Sequence, residues 1–246
     1  MTKPKGTTMA IKVFADGANL QGMLDMYHSG TVQGFTTNPS LMKKGGVTDY
    51  RAFAKEVLEN IKDLPVSFEV FADDLPTMGK EAREIATWAD NVYVKIPAMT
   101  TAGESTSPLV RELSAEGVKV NVTTLFTDEQ NAEFIDAVDA ETPSIISIFA
   151  GRIADTGVDP TPIMQRAIEA AAPKPNCEIL WASTRELLNI FQAEAIGCQI
   201  ITVPNSILAK RKNIGKDLLE YSKDTVKGFA ADIQTLGFHI LPKALR

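Results

Sequence analysis

Eight short apolar or β-branched runs, each followed by turn residues and a longer stretch of helical spacing, predict an α/β chain folded as a single-domain (β/α)8 TIM barrel. The runs and stretches alternate strictly, and the strand starts recur 21 to 34 residues apart, room enough for the helical crossover that parallel strands need. The turn after the first run reads Ala15-Asp16-Gly17-Ala18-Asn19 rather than GxGxxG, which speaks against an open, doubly wound dinucleotide-binding sheet.

In chain order, strands are expected near 11–15, 32–36, 66–71, 92–96, 119–123, 144–149, 178–182 and 199–203. Helical segments are expected at Gly22–Tyr27, Asp49–Ile61, Met78–Ala89, Ser107–Glu116, Asp128–Val138, Pro162–Ala171 and Thr184–Ala195. A long final segment, Ile214–Leu236, adds an extra C-terminal helical piece. No linker, charge block or composition shift divides the chain. Residues 1–10 are read as a flexible lead-in and 11–246 as one barrel domain that includes the final segment.

At 246 residues with 44% hydrophobic and 23% charged, the composition is that of an ordinary globular protein. The net charge of −6 argues against a nucleic-acid partner, which calls for a basic surface. Cys177 and Cys198 lack CxxC spacing and a secretory context, so they read as reduced thiols of a cytoplasmic protein. No apolar window approaches the ~20 residues that span a bilayer, and no membrane association is expected. The two histidines, His28 and His239, form no cluster, so no zinc site is expected and metal-dependent aldol chemistry is disfavoured.

In such a barrel the chemistry sits at the carboxyl ends of the strands, which makes the sequence searchable. Lys95 lies inside Val92-Tyr93-Val94-Lys95-Ile96-Pro97, where an ammonium between covered faces needs a partner or a purpose; a neutral amine there is the nucleophile for a carbonyl substrate. Asp16 ends the first strand and faces the mouth, although taken alone it is equally an N-cap for the next helix. Glu69 interrupts Val66-Ser67-Phe68-Glu69-Val70-Phe71 and reads as functional, while Asp73 and Asp74 belong to the loop beyond. Thr37 and Asn38 form a polar cluster after strand two that turn chemistry also explains. Asn121 and Thr123 alternate with Val120 and Val122 and so share one face. Ser147 and Arg152 flank Ile148-Phe149-Ala150-Gly151, and Ser183 and Arg185 follow strand seven. Two arginines from neighbouring loops make a candidate anion clamp, each being an ordinary surface residue if taken alone.

Asp16 in FADGAN, TTNPSL at 36–41, Glu69 in FEV, Lys95 in VKIP, Asn121 and Thr123 in NVTTLF, Arg152 in SIFAGR and Ser183 in ASTR together resemble the transaldolase family, including its short-chain members and the fructose 6-phosphate aldolases. The likeness runs in order over nearly the whole chain. It implies a cofactor-free Schiff-base mechanism in which Lys95 attacks the C2 ketone of a ketose phosphate, Asp16 moves the C4 hydroxyl proton, and Glu69 with Thr123 holds the water that shuttles protons. It further implies that Asn38, Asn121 and Ser147 bind the hydroxyls of the three-carbon unit, that Thr37 and Phe149 also belong to the substrate-binding site, and that Arg152, Ser183 and Arg185 hold the distal phosphate.

Gly17 stands where many relatives carry Thr or Ser, and Ala98-Met99-Thr100 fits no one subfamily. Glu69 and Phe149 are similar to transaldolases, whereas the related aldolases more often place Gln and Tyr there. The resemblance therefore implies transfer of a dihydroxyacetone unit from sedoheptulose 7-phosphate or fructose 6-phosphate to an aldose phosphate. The alternatives are fructose 6-phosphate cleavage, transfer from a sulfonated ketose, and a non-catalytic sugar-phosphate-binding barrel. Apolar residues of the final segment, among them Leu218, Leu219, Val226, Phe229 and Ile233, exceed what one barrel-covering helix needs. A homo-oligomer is expected, a pentamer or decamer as in similar short-chain relatives, unless the tail folds back over its own barrel.

Overall fold

A computed structural model describes residues 11–241; the expected lead-in over 1–10 lies outside them. The chain forms two compact units, one running up to Ala209 and the other holding Lys210 onward. The first unit contains strands β1 (Lys12–Asp16), β2 (Gly34–Thr36), β3 (Val66–Glu69), β4 (Val92–Pro97), β5 (Val120–Leu125), β6 (Ser144–Ile148), β7 (Cys177–Trp181) and β8 (Ile200–Pro204). All eight are parallel and close in chain order, with β8 returning to β1. The (β/α)8 fold expected from the sequence is present.

Around the barrel run α1 (Leu20–His28), α2 (Pro39–Lys44), α3 (Tyr50–Asn60), α4 (Leu75–Ala86), α5 (Ser107–Ala115), α6 (Asp128–Ala137), α7 (Ala150–Ala154), α8 (Thr161–Ala171), α9 (Leu188–Ala195) and α10 (Asn205–Leu208). The second unit is built on α11 (Leu218–Leu236), which Asp217 caps at its start and Gly237, at φ 64°, closes. No helix among the described residues is long and apolar enough to cross a membrane. Cys177 and Cys198 are buried free thiols, and burial pushes that of Cys198 up to about 12.

The period of two sorts each strand into an outer and an inner set. Outward residues such as Val13, Phe68, Val94, Val122, Ile146 and Ile201 join the helices in the main core. The inward residues Phe14, Ile145, Leu180 and Ile200 form a separate apolar plug with Tyr93 packed on it. Phe14 leaves no room for a side chain on the facing strand: a Cβ on Gly34 would lie 2.5 Å from the ring. The plug makes the floor of the cavity above it.

Element ends depart from the sequence expectation for local reasons. Strand β2 begins only at Gly34, because the Gln33 side chain accepts the Val13 N–H (2.9 Å) where a strand residue would. Strand β3 stops at Glu69 rather than Phe71, because the Phe71 and Ala72 N–H groups both donate to the Glu81 carboxylate (2.7 and 2.8 Å). Strand β5 continues to Leu125 through an irregularity at Thr124, whose φ of 63° is costly for a β-branched residue. The polar TTNPS segment opens α2: Asn38 accepts the Leu41 N–H (2.9 Å) and Pro39 takes the first helical position.

Candidate active site

Above the apolar plug the inward positions become polar. The register sets Asp16 beside Thr36, Glu69 beside Lys95, and Lys95 beside Asn121. A cavity of about 430 Å³ opens there, and among its lining residues are Asp16, Asn38, Glu69, Lys95, Thr123 and Ser147. Phe149, Arg152, Ser183 and Arg185 line it from the loops after β6 and β7.

Lys95 is 6% exposed. Its Nζ donates to the Thr37 carbonyl (3.0 Å) and lies 3.4 Å from Glu69 Oε2. An ammonium removed from water needs such partners, and the strand register supplies Glu69 from the adjacent strand. Thr37 is fully buried and its hydroxyl donates to the Ser67 carbonyl (2.9 Å), so its contribution to the site is the carbonyl that holds Lys95.

Asp16 is not a helix cap; Asn19 caps α1 by accepting the Gly22 N–H (2.9 Å). Thr36 donates to Asp16 Oδ1 (2.9 Å), and the Thr36 and Thr202 hydroxyls are 2.5 Å apart. Burial pushes the Asp16 carboxyl above its ordinary range, against the opposing pull of Lys95 and the Thr36 hydrogen bond. A carboxylate of raised basicity, held at a strand end beside a lysine, is suited to proton transfer.

Asn121 is buried at the level of Lys95, donating to Ser67 Oγ (2.9 Å) and accepting from Ser147 Oγ (2.7 Å). Ser147 reaches the cavity and Asn121 stands behind it. The Thr123 hydroxyl is buried, reaches the cavity wall and has no protein partner. Asn38 divides its roles, its oxygen capping α2 while the residue lines the cavity.

The two arginines converge on one side of the mouth. Gly151, at the start of α7, lets the β7 loop approach so closely that a Cβ there would lie 1.6 Å from the Ser183 carbonyl oxygen and 3.2 Å from Arg185 Cγ. Ser183 has φ 63°. The Arg152 guanidinium stands 5.3 Å from the Phe149 ring centre, in cation–π range. Arg185 is held by Asp155.

Sequence reasoning passed over Thr36, Ser67, Asp155 and Thr202. Three of them sit at inward strand positions where a small hydroxyl residue is an unremarkable strand former, and Asp155 follows Arg152 by one helical turn. Their signal was the alternation itself: Thr36 and Thr202 lie two residues beyond the inward Gly34 and Ile200.

Fold and site define a class, the (β/α)8 barrels whose cavity is centred on a buried lysine flanked by carboxylates. The model of the family described as transaldolase/fructose-6-phosphate aldolase matches residues 13–240, and the chain belongs to that family. It is 38% identical over 204 residues to a "probable transaldolase" of Methanococcus maripaludis (82% of this chain, 90% of that one). It is 37% identical over 203 residues to another of that name from Streptococcus equi subsp. zooepidemicus (81% and 89%). Among solved structures, a "putative fructose-1,6-biphosphate aldolase" from Coccidioides immitis shares the fold at a TM-score of 0.54 and 14% identity, over 87% of this chain and 82% of that one.

Proposed function

We propose that the protein is a metal-independent, cytoplasmic transaldolase that moves a dihydroxyacetone unit through a Schiff base on Lys95, from sedoheptulose 7-phosphate or fructose 6-phosphate to an aldose phosphate. The observation that carries this reading is the Lys95 Nζ, buried on the cavity wall 3.4 Å from Glu69, on the strand next to the one carrying Glu69.

The neutral Lys95 amine attacks the C2 carbonyl, and the carbinolamine loses water to give an iminium. Glu69 and Thr123, whose hydroxyl is free for a water, relay those protons. Asp16 takes the C4 hydroxyl proton as the C3–C4 bond breaks, the bonding pair passes into the iminium to give an enamine, and the aldose phosphate leaves. The enamine carbon then attacks an incoming aldehyde, Asp16 returns its proton to the new hydroxyl, and water releases the product from Lys95. Ser147, backed by Asn121, and Asn38 hold hydroxyls of the three-carbon unit. Arg152, Ser183 and Arg185 hold the phosphate, and Arg185 offers the forked donor geometry that such an anion accepts.

Borohydride reduction in the presence of fructose 6-phosphate should add one dihydroxyacetone unit to Lys95, by mass analysis of peptides. Lys95→Arg, which keeps the charge but cannot become a neutral amine, should take up none. Adduct on the Lys95→Arg protein would overturn the assignment.

The family description also covers fructose-6-phosphate aldolase, so cleavage to free dihydroxyacetone is the second reading. We also propose a homo-oligomer, because Leu218, Leu219, Val226, Phe229 and Ile233 of α11 are exposed. A monomer in sedimentation at micromolar concentration would refute that.

A further inference from the structure

The anion clamp contains a feature that anion binding alone does not explain. The Asp155 carboxylate grips Arg185 through both oxygens, Nε to Oδ1 at 3.0 Å and an Nη to Oδ2 at 2.5 Å. A carboxylate beside a phosphate site repels the ligand, so on charge alone it is unfavourable there. As a stabilising surface pair it also contributes little, since both side chains are about half exposed, at 45% and 55%.

Its geometry gives it another use. Asp155 ends α7, the short helix that follows β6, and lies one helical turn after Arg152. Near the beginning of the same helix, the Gly151 N–H donates to the Ala182 carbonyl (3.2 Å), and the missing Cβ admits the Ser183 carbonyl. Helix α7 is therefore docked on the β7 loop at its first turn through backbone and at its end through Asp155. The guanidinium carries five donors in a planar fork. Asp155 occupies the edge formed by Nε and one Nη, fixes the plane, and leaves the other donors free. The Arg185 hydrogen bond, reinforced by the nearby charge of Arg152, holds the Asp155 carboxyl below the usual carboxylate range, so it stays ionised and able to grip.

We propose that Asp155 is a positioning residue for Arg185: it touches no substrate, and it sets the guanidinium in the orientation that meets the distal anion of the sugar. The proposal rests on the clamp reading above. Arg185 in a free loop would lose side-chain freedom on every binding event; tied to Asp155, it has lost that freedom already.

The test is a double-mutant cycle on the full-length protein with Asp155→Ala, Arg185→Ala and the double variant, with Asp155→Asn as a near-isosteric check that folding is retained. The readouts are kcat/KM for fructose 6-phosphate relative to unphosphorylated fructose, and the inhibition constant of inorganic phosphate. Asp155→Ala should lower that ratio and weaken phosphate inhibition about tenfold, the loss of one aligned charge-assisted bond. Asp155→Asn, which keeps one acceptor oxygen, should fall between. In the Arg185→Ala background, Asp155→Ala should change neither readout, because nothing is left to orient. A merely structural role would depress both substrates alike and leave the ratio where it was.

The proposal is overturned if phosphate binds Asp155→Ala as tightly as wild type or more tightly, if both substrates fall together, or if the effect persists without Arg185. If Arg185→Ala itself changes neither readout, the clamp reading fails and the positioning role with it. If Arg185→Ala weakens phosphate and Asp155→Ala does not, the clamp stands and only the positioning role is lost.

Discussion

Gly151→Ala tests whether the arginine-lined side of the cavity, the proposed phosphate site, depends on the close approach of two loops. The new Cβ would sit 1.6 Å from the Ser183 carbonyl oxygen and 2.6 Å from its carbon, both backbone atoms that no rotamer change can move aside. Ordinary carbon–oxygen contact needs about 3.3 Å, so the β7 loop must retreat by roughly 1.5 Å or more. Ser183 already holds a left-handed φ of 63°, which leaves it few alternative conformations. A misplacement of about 1 Å can cost on the order of 100-fold in rate. The expectation is therefore a drop of about 100-fold in kcat/KM for phosphorylated substrates and a smaller one for unphosphorylated analogues. Overpacking should also destabilise by about 1–3 kcal/mol, read as a lower Tm. Gly17→Ala is the control for stability, since a Cβ there meets nothing within 4 Å and should change it by less than about 0.5 kcal/mol. A Gly151→Ala protein with both Tm and phosphorylated-substrate kinetics close to wild type would refute the loop-contact reasoning.

Asp16→Asn should raise stability at pH 7 by about 1 kcal/mol while cutting turnover by on the order of 100- to 10,000-fold, because burial disfavours the Asp16 charge that the proposed mechanism uses. The sign fixes the pH dependence: a raised carboxyl pKa makes wild type lose stability as pH rises through it, so urea midpoints of the two proteins should converge as pH falls toward the ordinary carboxylate range, and a variant less stable than wild type at pH 7 would count against the argument. Phe149→Tyr, alone or with Glu69→Gln, should increase free dihydroxyacetone released from fructose 6-phosphate relative to transfer onto erythrose 4-phosphate, since a phenol at the cavity wall can protonate the enamine. A coupled dihydroxyacetone assay without acceptor checks this, and wild type that releases dihydroxyacetone as fast as it transfers it would replace the transferase reading with the aldolase one.

The barrel was legible because its strands are covered on both faces, so each reads as a largely apolar run in which a charged residue is conspicuous. Lys95 and Glu69 stood out for that reason. Threonine gives no such contrast, being an ordinary strand residue, and Thr36 and Thr202 passed unnoticed although they hold Asp16 in place. The short helices α2 and α7 were missed because five or six residues cannot establish a helical period. Asn38 carried the cap signal for α2, but a polar cluster before a proline reads equally as a turn. Asp155 was invisible on different grounds, since its partner lies 30 residues away and only the closed barrel brings the loops after β6 and β7 together.

The cavity's polar groups divide by whether the fold satisfies them. Ser67, Asn121 and Ser147 form a closed chain of hydrogen bonds, and Thr36 with Thr202 forms another that ends on one oxygen of Asp16. Such networks cost little once every member is paired, and they fix side chains in one orientation. Not satisfied in this way are the charge of Asp16, disfavoured by its surroundings, and the Thr123 hydroxyl, buried without a protein partner. Lys95 is matched, but only by a carbonyl and by a carboxylate 3.4 Å away, a long contact for an ion pair. A fold under selection for stability alone would replace such groups with apolar ones at little loss or some gain. They sit together above the apolar plug, in the cavity where the proposed reaction brings a carbonyl substrate from the mouth to an amine, a base and a proton relay at once.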